Sequence, residues 1–453
     1  MSGTSFVQDT ELLMTYVMIE PLRLVGYLIF AFYALSSLWL LLNGLVQLHL
    51  LWHYRRRKKT IPQLTLQSFP FVSIQVPVYN EKYVIARLLR TLAQLDYPKE
   101  RFEIQVLDDS TDETSFILDR EVAQLHAENI AISIVRRASR KGFKAGALQY
   151  GLPFCKGDYI AIFDADFTPD PLFLKKMLPY FSDAKTGLVQ ARWTHLNSDQ
   201  NQLTRIQTFL LDTHFSVEQS GRLQAGYLIN FCGTAGIWRK ACIEDAGGWD
   251  GNVLSEDLDL SYRAQLRGWK LHYAPEVTVP AELPAAIEAF KIQQFRWTKG
   301  MAQISKKMMG AVLRTRMPLL KRVHAFFHLL GSLMFVCLFL NAVLTVPLLL
   351  FRNLYPEFVN LTRYATISSV NLIALTLFYY NGSQSNAQPD GVKFFKHYPL
   401  FLVVYMGMSV QNTVAVLQGF FGSASVFVRT PKAADGTEAN NSYLKNNFNW
   451  ING

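Results

Sequence analysis

A mostly parallel α/β sheet with helices on both faces, joined to a membrane-embedded helical region, is the fold class this sequence predicts. Three observations predict it. Short β-branched and aromatic runs alternate with helical patterns between residues 70 and 285. Long apolar runs flank that stretch. Basic clusters sit at the edges of those runs, as in Arg55-Arg56-Arg57-Lys58-Lys59 and from Lys306-Lys307 to Lys321-Arg322.

In chain order, residues 1–21 form an extracytoplasmic N-terminal segment. Leu22 to Trp52 is apolar except for Arg23, Asn43 and His49, long enough to cross a bilayer. It is too long for a signal-peptide core, and no small-residue cleavage site follows it. The Arg55–Lys59 cluster then places the next domain, residues 70–285, in the cytosol. Its strands read as Phe71–Val76, Phe102–Leu107, Ile130–Val135 and Tyr159–Phe163, with helices between them such as Val84–Gln94 and Thr114–His126. Residues 286–322 read as interfacial helices. Residues 323–381 hold two spans, His324–Phe351 and about 362–380, with Pro347 breaking the first near its outer end. Residues 392–421 are apolar but carry Gln411-Asn412-Thr413, which predicts a re-entrant or interfacial helix pair kinked there, the alternative being a simple third span. Residues 422–453 are a loop and a polar tail.

Composition narrows the function. The chain has 453 residues, half of them hydrophobic, enough for one catalytic domain plus a membrane part. Its net charge of +10 sits beside the apolar runs, so anionic lipid is the expected partner rather than nucleic acid. The four cysteines show no Cys-x-x-Cys spacing, which argues against a disulfide framework or a zinc site.

Ligands of such sheets bind at the carboxyl ends of the strands. Tyr79 and Glu81, Asp109, and the pair Asp164 and Asp166 all follow strands. Two carboxylates flanking one residue can hold a divalent cation against a diphosphate, although the usual reading of the pair alone is a solvated loop or a helix cap. Lys144 lies in a glycine-containing loop that opens a helix, a place where phosphate binds; the plainer reading is a solvated basic turn. Phe231-Cys232-Gly233-Thr234 allows close approach of another chain, or simply tight packing. Ser255-Glu256-Asp257 is an N-cap by pattern, and Asp257 there can also be a catalytic base. Gln293, Arg296 and Trp297 lie on a helix just before the membrane. Arg296 can pair with a diphosphate and Trp297 can stack on a sugar, or serve as an interfacial anchor.

Together these segments resemble the membrane-embedded, processive family 2 glycosyltransferases, such as cellulose and hyaluronan synthases. The likeness is strongest to the plant cellulose-synthase-like mannan synthases. It rests on residues 104–112, Asp158–Phe167, Leu188–Trp193, Gly233–Trp238 and Gln293–Trp297. The resemblance implies a GT-A domain working on a UDP- or GDP-hexose with Mg²⁺ or Mn²⁺. It assigns the nucleotide-sugar to Tyr79, Glu81, Asp109, Lys144, Asp164, Gln293 and Arg296, and the metal to Asp164 and Asp166. Asp257 becomes the general base beside Glu256, in an inverting transfer. Phe231, Cys232, Gly233, Thr234 and Trp297 hold a β-glycan acceptor. Phe427, Thr430 and Lys432 match a gating loop, although Arg429 replaces its valine. Serine at 255 replaces the usual threonine and keeps the hydroxyl. Phe167 stands where cellulose synthases have a histidine, removing one metal ligand. Such enzymes lie in the plasma or inner membrane, or in the Golgi for plant-like members. Their further spans beyond the gating loop imply that a partner subunit or more chain completes the export channel. Two alternatives stay open: a ceramide-type lipid glycosyltransferase, and a non-catalytic membrane scaffold.

Overall fold

The computed structural model describes residues 20–57, 66, 68–363, 368–385 and 390–422. A long helix α1 (Glu20–Arg56) precedes the catalytic domain. There follow β1 (Val72–Val78), α2 (Ile85–Ala93), β2 (Phe102–Asp108), α3 (Thr114–Ala127), β3 (Ile132–Arg136), α4 (Phe143–Gly151) and β4 (Tyr159–Ile162). After α5 (Phe173–Met177) and β5 (Thr186–His195) come α6 (Gln202–Thr213), a π-helical turn (His214–Glu218) and α7 (Gln219–Gln224). The domain closes with β6 (Gly236–Arg239), α8 (Lys240–Asp245), α9 (Glu256–Leu266) and β7 (Lys270–Ala281).

The seven strands form one sheet in the order β3-β2-β1-β4-β6-β5-β7. Only β6 runs antiparallel to its neighbours, so the sheet is mostly parallel, as the alternation of strands and helices predicts. Central strands read as continuous apolar runs because both faces are covered: Ile74, Val76, Ile104, Val106 and Ala161 lie in one core and Leu107, Ile160 and Ile162 in the other. The strand ends therefore cannot hide polar groups, and Tyr79, Asp109, Asp164 and Glu282 all emerge at one edge. Because β6 is reversed, the Phe231–Ala235 loop that enters it reaches this same edge.

Helix α10 (Ile287–Arg314) leaves the domain and is followed by α11 (Leu319–Leu329), α12 (Leu333–Leu354), α13 (Pro356–Arg363), α14 (Ser368–Ser383) and α15 (Gly391–Phe421). Among the described residues, three segments are long and apolar enough to cross a membrane: Pro21–Arg56, Leu319–Leu354 and Gly391–Phe421. Contacts fix their directions. His49 meets His324 and Ser36 meets Asn341, so α1 and α11–α12 run antiparallel. Gly44 abuts Asn371 and Arg55 bonds Asn381, so α14 runs parallel to α1 and returns to the catalytic domain. There Gly382 sits against Thr213, where a side chain would collide.

Three details differ from the expectation. Pro347 lies inside α12 without ending it; apolar helices absorb a proline when neighbours and local adjustment satisfy the freed carbonyl. The break comes instead at the 3₁₀ turn Leu330–Ser332. The described helix α14 has 16 residues, short of the span expected there. Finally, the pair predicted for 392–421 is one continuous helix. Gln411 donates to the Lys291 carbonyl and Thr413 to that of Phe335, so two of the three polar side chains join helices without a kink, while the buried Asn412 amide meets no hydrogen-bond partner among the described residues. Helix α15 runs alongside α10: Phe290 meets Tyr405, Lys299 meets Gln418, and Lys306 caps the Phe420 carbonyl. Its first turns pack on α6 through Phe209 and Phe394. Both ends of α15 thus lie against elements attached to the catalytic sheet.

Candidate active site

One open cavity at the sheet edge is lined by Tyr79, Glu81, Asp109, Lys144, Asp164, Asp166, Cys232, Gly233, Glu256, Asp257, Gln293, Arg296 and Trp297. Thirteen residues foreseen as site residues are therefore brought together from seven loops and helices. Backbone strain concentrates here. Among the described residues, the non-glycine positions with positive φ are Asn80, Asn129, Phe143 and Ala235, and all but Asn129 lie in loops of this cavity.

Lys144 is the hub. Its Nζ lies 2.5 Å from Asp164 Oδ1 and donates to the Gly233 carbonyl at 3.0 Å. Burial pushes its ammonium down, but Asp164, Glu256 and Asp257 outweigh that and hold it above the usual lysine range. Lys144 is therefore not the residue of a solvated basic turn: it bridges the Asp164 turn and the Gly233 loop. Gly233, at φ 85°, faces the Asp257 carboxylate; a Cβ there would sit 3.2 Å from Oδ2 and 3.7 Å from Lys144 Nζ. Only glycine suits both that conformation and that proximity.

Asp257 stands in the first turn of α9, where its Oδ1 accepts from the Leu258 amide at 2.7 Å. Burial, reinforced by the charge of Glu256, raises its carboxyl to about 7. Burial raises Glu256 as well, against the pull of Lys144. The two titrate as a pair, and the first proton to leave belongs to both. Arg296 projects from α10 into the field of Glu256, Asp164, Asp257 and Glu81, although burial lowers its pKa from the usual value. Four cavity carboxylates, Glu81, Asp164, Glu256 and Asp257, thus face Lys144 and Arg296, a balance that an incoming anion can rearrange.

Asp164 and Asp166 share the cavity on the turn after β4. The Asp164 amide donates to Thr234 Oγ1 at 2.8 Å. Arg87 steadies the turn, donating to Glu282 at 2.7 Å and reaching the Asp166 carbonyl at 3.5 Å. Among the described residues no three His, Cys, Asp or Glu side chains cluster as ready-made metal ligands. Phe167 is buried against Trp193.

Some expectations need correction. Phe231 and Thr234 do not face the cavity: both are fully buried, Phe231 edge-on against Trp238 and Thr234 beneath Asp164. An aromatic entering a sheet core gains more from burial than from a solvated wall. Asp109 reaches the cavity edge with both carboxylate oxygens engaged by Arg137, at 2.7 and 2.6 Å. Phe427, Thr430 and Lys432 lie outside the described residues.

Sequence reasoning missed Arg137, Arg140, His195 and Glu282. Arg140 lies 3.3 Å over the Tyr79 ring, and Arg137 also bonds the Lys141 and Phe143 carbonyls. The basic run Arg136–Lys141 just before Lys144 was a usable signal. His195 ends β5 and Glu282 follows β7, strands that periodicity did not delimit.

Residues 70–300 match the family described as glycosyltransferase like family 2. A glucomannan 4-beta-mannosyltransferase of Oryza sativa subsp. japonica is 37% identical over 63% of this chain and 58% of its own length. One from Cyamopsis tetragonoloba is 40% identical over 62% of this chain and 56% of its own. Another, from Arabidopsis thaliana, is 36% identical over 83% of this chain and 70% of its own. The chain thus spans less than two thirds of the first two relatives. Among solved structures, a mannosyltransferase from Pyrobaculum calidifontis, in complex with GDP-Man and Mn²⁺, superposes with a TM-score of 0.58 at 17% identity, covering 86% of this chain and 99% of that one. That likeness shows the GT-A architecture of the sheet.

Proposed function

The chain belongs to glycosyltransferase family 2, and from that membership and the cavity's geometry we propose that it is an inverting, processive synthase of a β-linked glycan. The relatives named above are glucomannan mannosyltransferases, which favours GDP-mannose as the donor. The observation that carries the reading is the cavity itself. One base of raised pKa (Asp257), two cations (Lys144 and Arg296) and an aspartate pair (Asp164 and Asp166) face one space at the sheet's carboxyl edge.

The chemistry follows from those groups. A nucleoside diphosphate enters between the Tyr79 and Asp109 edge and the aspartate pair. Two carboxylates and no further ligand cluster suit a Mg²⁺ or Mn²⁺ whose remaining ligands are phosphate oxygens and water. Such a cation would neutralise charge building on the departing diphosphate. Arg296 adds a fixed guanidinium for the same charge. Lys144, released by Asp164, can turn to the phosphates. Asp257 accepts the proton of the acceptor hydroxyl, which attacks the anomeric carbon from the face opposite the leaving group. Burial makes Asp257 a stronger base than an ordinary aspartate and sets its ionisation close to neutral pH. Trp297, with Cys232 and Gly233, forms the wall on which the acceptor end rests.

We assign α1, α11–α12 and α14 to a membrane bundle and α10 with α15 to an interfacial layer beneath it. The support is that α15 keeps both ends against the catalytic side. The segment after Phe421 then starts beside the cavity's helix α10, where a gating loop is useful. A cytosolic catalytic domain, a Golgi or plasma-membrane location and a partner for export complete this reading.

Purified protein incubated with labelled GDP-mannose or UDP-glucose and Mn²⁺ tests it. A size ladder digestible by a β-glycanase supports the synthase. A single chloroform-soluble product would overturn it in favour of lipid glycosylation.

A further inference from the structure

Cys232 sits on the cavity wall with a set of partners that glycosyl transfer does not require. Its Sγ lies 3.6 Å from His214 Nε2, and His214 Nδ1 lies 2.9 Å from Glu218 Oε2. Arg222 clamps the other Glu218 oxygen through Nε and Nη2, at 3.1 and 2.8 Å. Two amides also aim at the sulfur: Gln219 Nε2 at 3.5 Å and Asn230 Nδ2 at 3.6 Å. Against these three nitrogen donors stands one weak acceptor contact, the Asn230 carbonyl at 3.9 Å. His214 and Glu218 belong to the π-helical turn, a local irregularity found mostly at functional sites.

Sulfur ringed by N–H donors is stabilised as the anion. We propose that the Cys232 sulfur, faced by His214, Gln219 and Asn230 and backed by Glu218, is a reactive nucleophile and the site at which peroxides and small soft electrophiles covalently modify the cavity wall. The charges around it agree. Burial pushes the His214 imidazole down, but Cys232 and Glu218 outweigh it and hold it up to about 10. His214 therefore keeps both N–H donors at neutral pH. Burial pushes the Glu218 carboxyl up, yet Arg222 and His214 hold it well below the usual range. His328 and Tyr273 also act on this cluster, His328 bonded to Tyr262 at 2.7 Å and Tyr273 a buried phenol within the field of Cys232. Elsewhere in the catalytic domain the thiols are inert: burial pushes Cys155 and Cys242 up to about 12.

With hydrogen peroxide, the thiolate attacks one oxygen. An S–O bond forms, the O–O bond breaks, and hydroxide leaves, taking the His214 proton to become water. Sulfur is oxidised by two electrons to sulfenic acid and the peroxide is reduced. A low-molecular-weight thiol then displaces water to give a mixed disulfide, which excess thiol reverses. A modified sulfur would stand where the acceptor is proposed to rest. That consequence depends on the synthase reading; the reactivity of the thiol does not.

The test uses the full chain in lipid nanodiscs and iodoacetamide as probe, with no sugar present. Labelling of each cysteine at neutral pH is followed over time by peptide mass spectrometry. Cys232 should react, with Cys155 and Cys242 unlabelled. His214→Gln, or Glu218→Gln should that variant misfold, should slow Cys232 labelling by about tenfold or more. Dimedone added after dilute peroxide should tag Cys232. An unlabelled Cys232, an unchanged labelling rate in both variants, or no dimedone adduct would each overturn the proposal.

Discussion

Ser255 Oγ fills the space that a side chain at Gly300 would occupy, so α10 can lie on the start of α9 only because residue 300 is glycine. That contact fixes Arg296, one turn earlier on α10, relative to Asp257, two residues after Ser255. Gly300→Ala should therefore lower transfer by separating cation from base. Its overpacking should also cost about 1–3 kcal/mol of stability. Replacing Ser255 by alanine in the same chain removes the hydroxyl and should restore part of both. Turnover and thermal unfolding of the two variants check this; an alanine at 300 with wild-type turnover would show that the two helices are not held in register this way.

Asp257→Asn keeps size and removes the base. Donor binding, measured by calorimetry with GDP-mannose, should persist because the nucleotide edge is untouched. Transfer should fall by about 10²–10⁴-fold, the range expected when a positioned base is lost. Comparable loss of donor affinity would mean that Asp257 instead organises the nucleotide site through Lys144.

Much of this site was legible because strand ends and acidic residues coincide in the sequence. Tyr79, Asp109 and Asp164 each follow an apolar run that the sheet buries, and the fold gathers what the pattern spaces apart. Other features were not legible for physical reasons. The ion pair of Lys144 with Asp164 joins residues twenty positions apart through tertiary packing. Phe231 looked like a wall residue, yet its ring is drawn into the core beside Trp238 and Trp249. Gln411–Thr413 suggested a kink because an isolated apolar helix cannot satisfy them, whereas Lys291 and Phe335 on neighbouring helices take up Gln411 and Thr413. The cluster behind Cys232 was invisible, since no motif or spacing ties His214 and Glu218 to the Phe231–Thr234 loop and only the fold brings them together.

The metal assignment predicts that chelation stops the reaction. EDTA should abolish transfer and Mn²⁺ or Mg²⁺ should restore it. Asp166→Asn should raise the Mn²⁺ concentration needed for half-maximal rate and lower the maximal rate by on the order of 10²-fold, as lost Lewis-acid stabilisation demands. Full activity in EDTA would assign the diphosphate's charge to Lys144 and Arg296 alone.

The Glu256–Asp257 pair predicts opposite pH trends for activity and stability. Asp257 must be ionised to accept a proton, so transfer should fall as pH drops through about 7. Stability has the other sign. A carboxyl whose pKa is raised on folding binds its proton more tightly in the folded chain. Its contribution is fully present below the ordinary value of 3.8 and is lost as pH rises through about 7. Between those limits the unfolding temperature should therefore decline with rising pH while the rate climbs, unless titration elsewhere masks it. Asp257→Asn supplies the control, because the difference between its unfolding curve and that of the wild type isolates the pair. That difference should grow in the variant's favour from pH 5 to pH 8. A difference independent of pH would mean that Asp257 ionises at an ordinary value and is not primed as a base by burial.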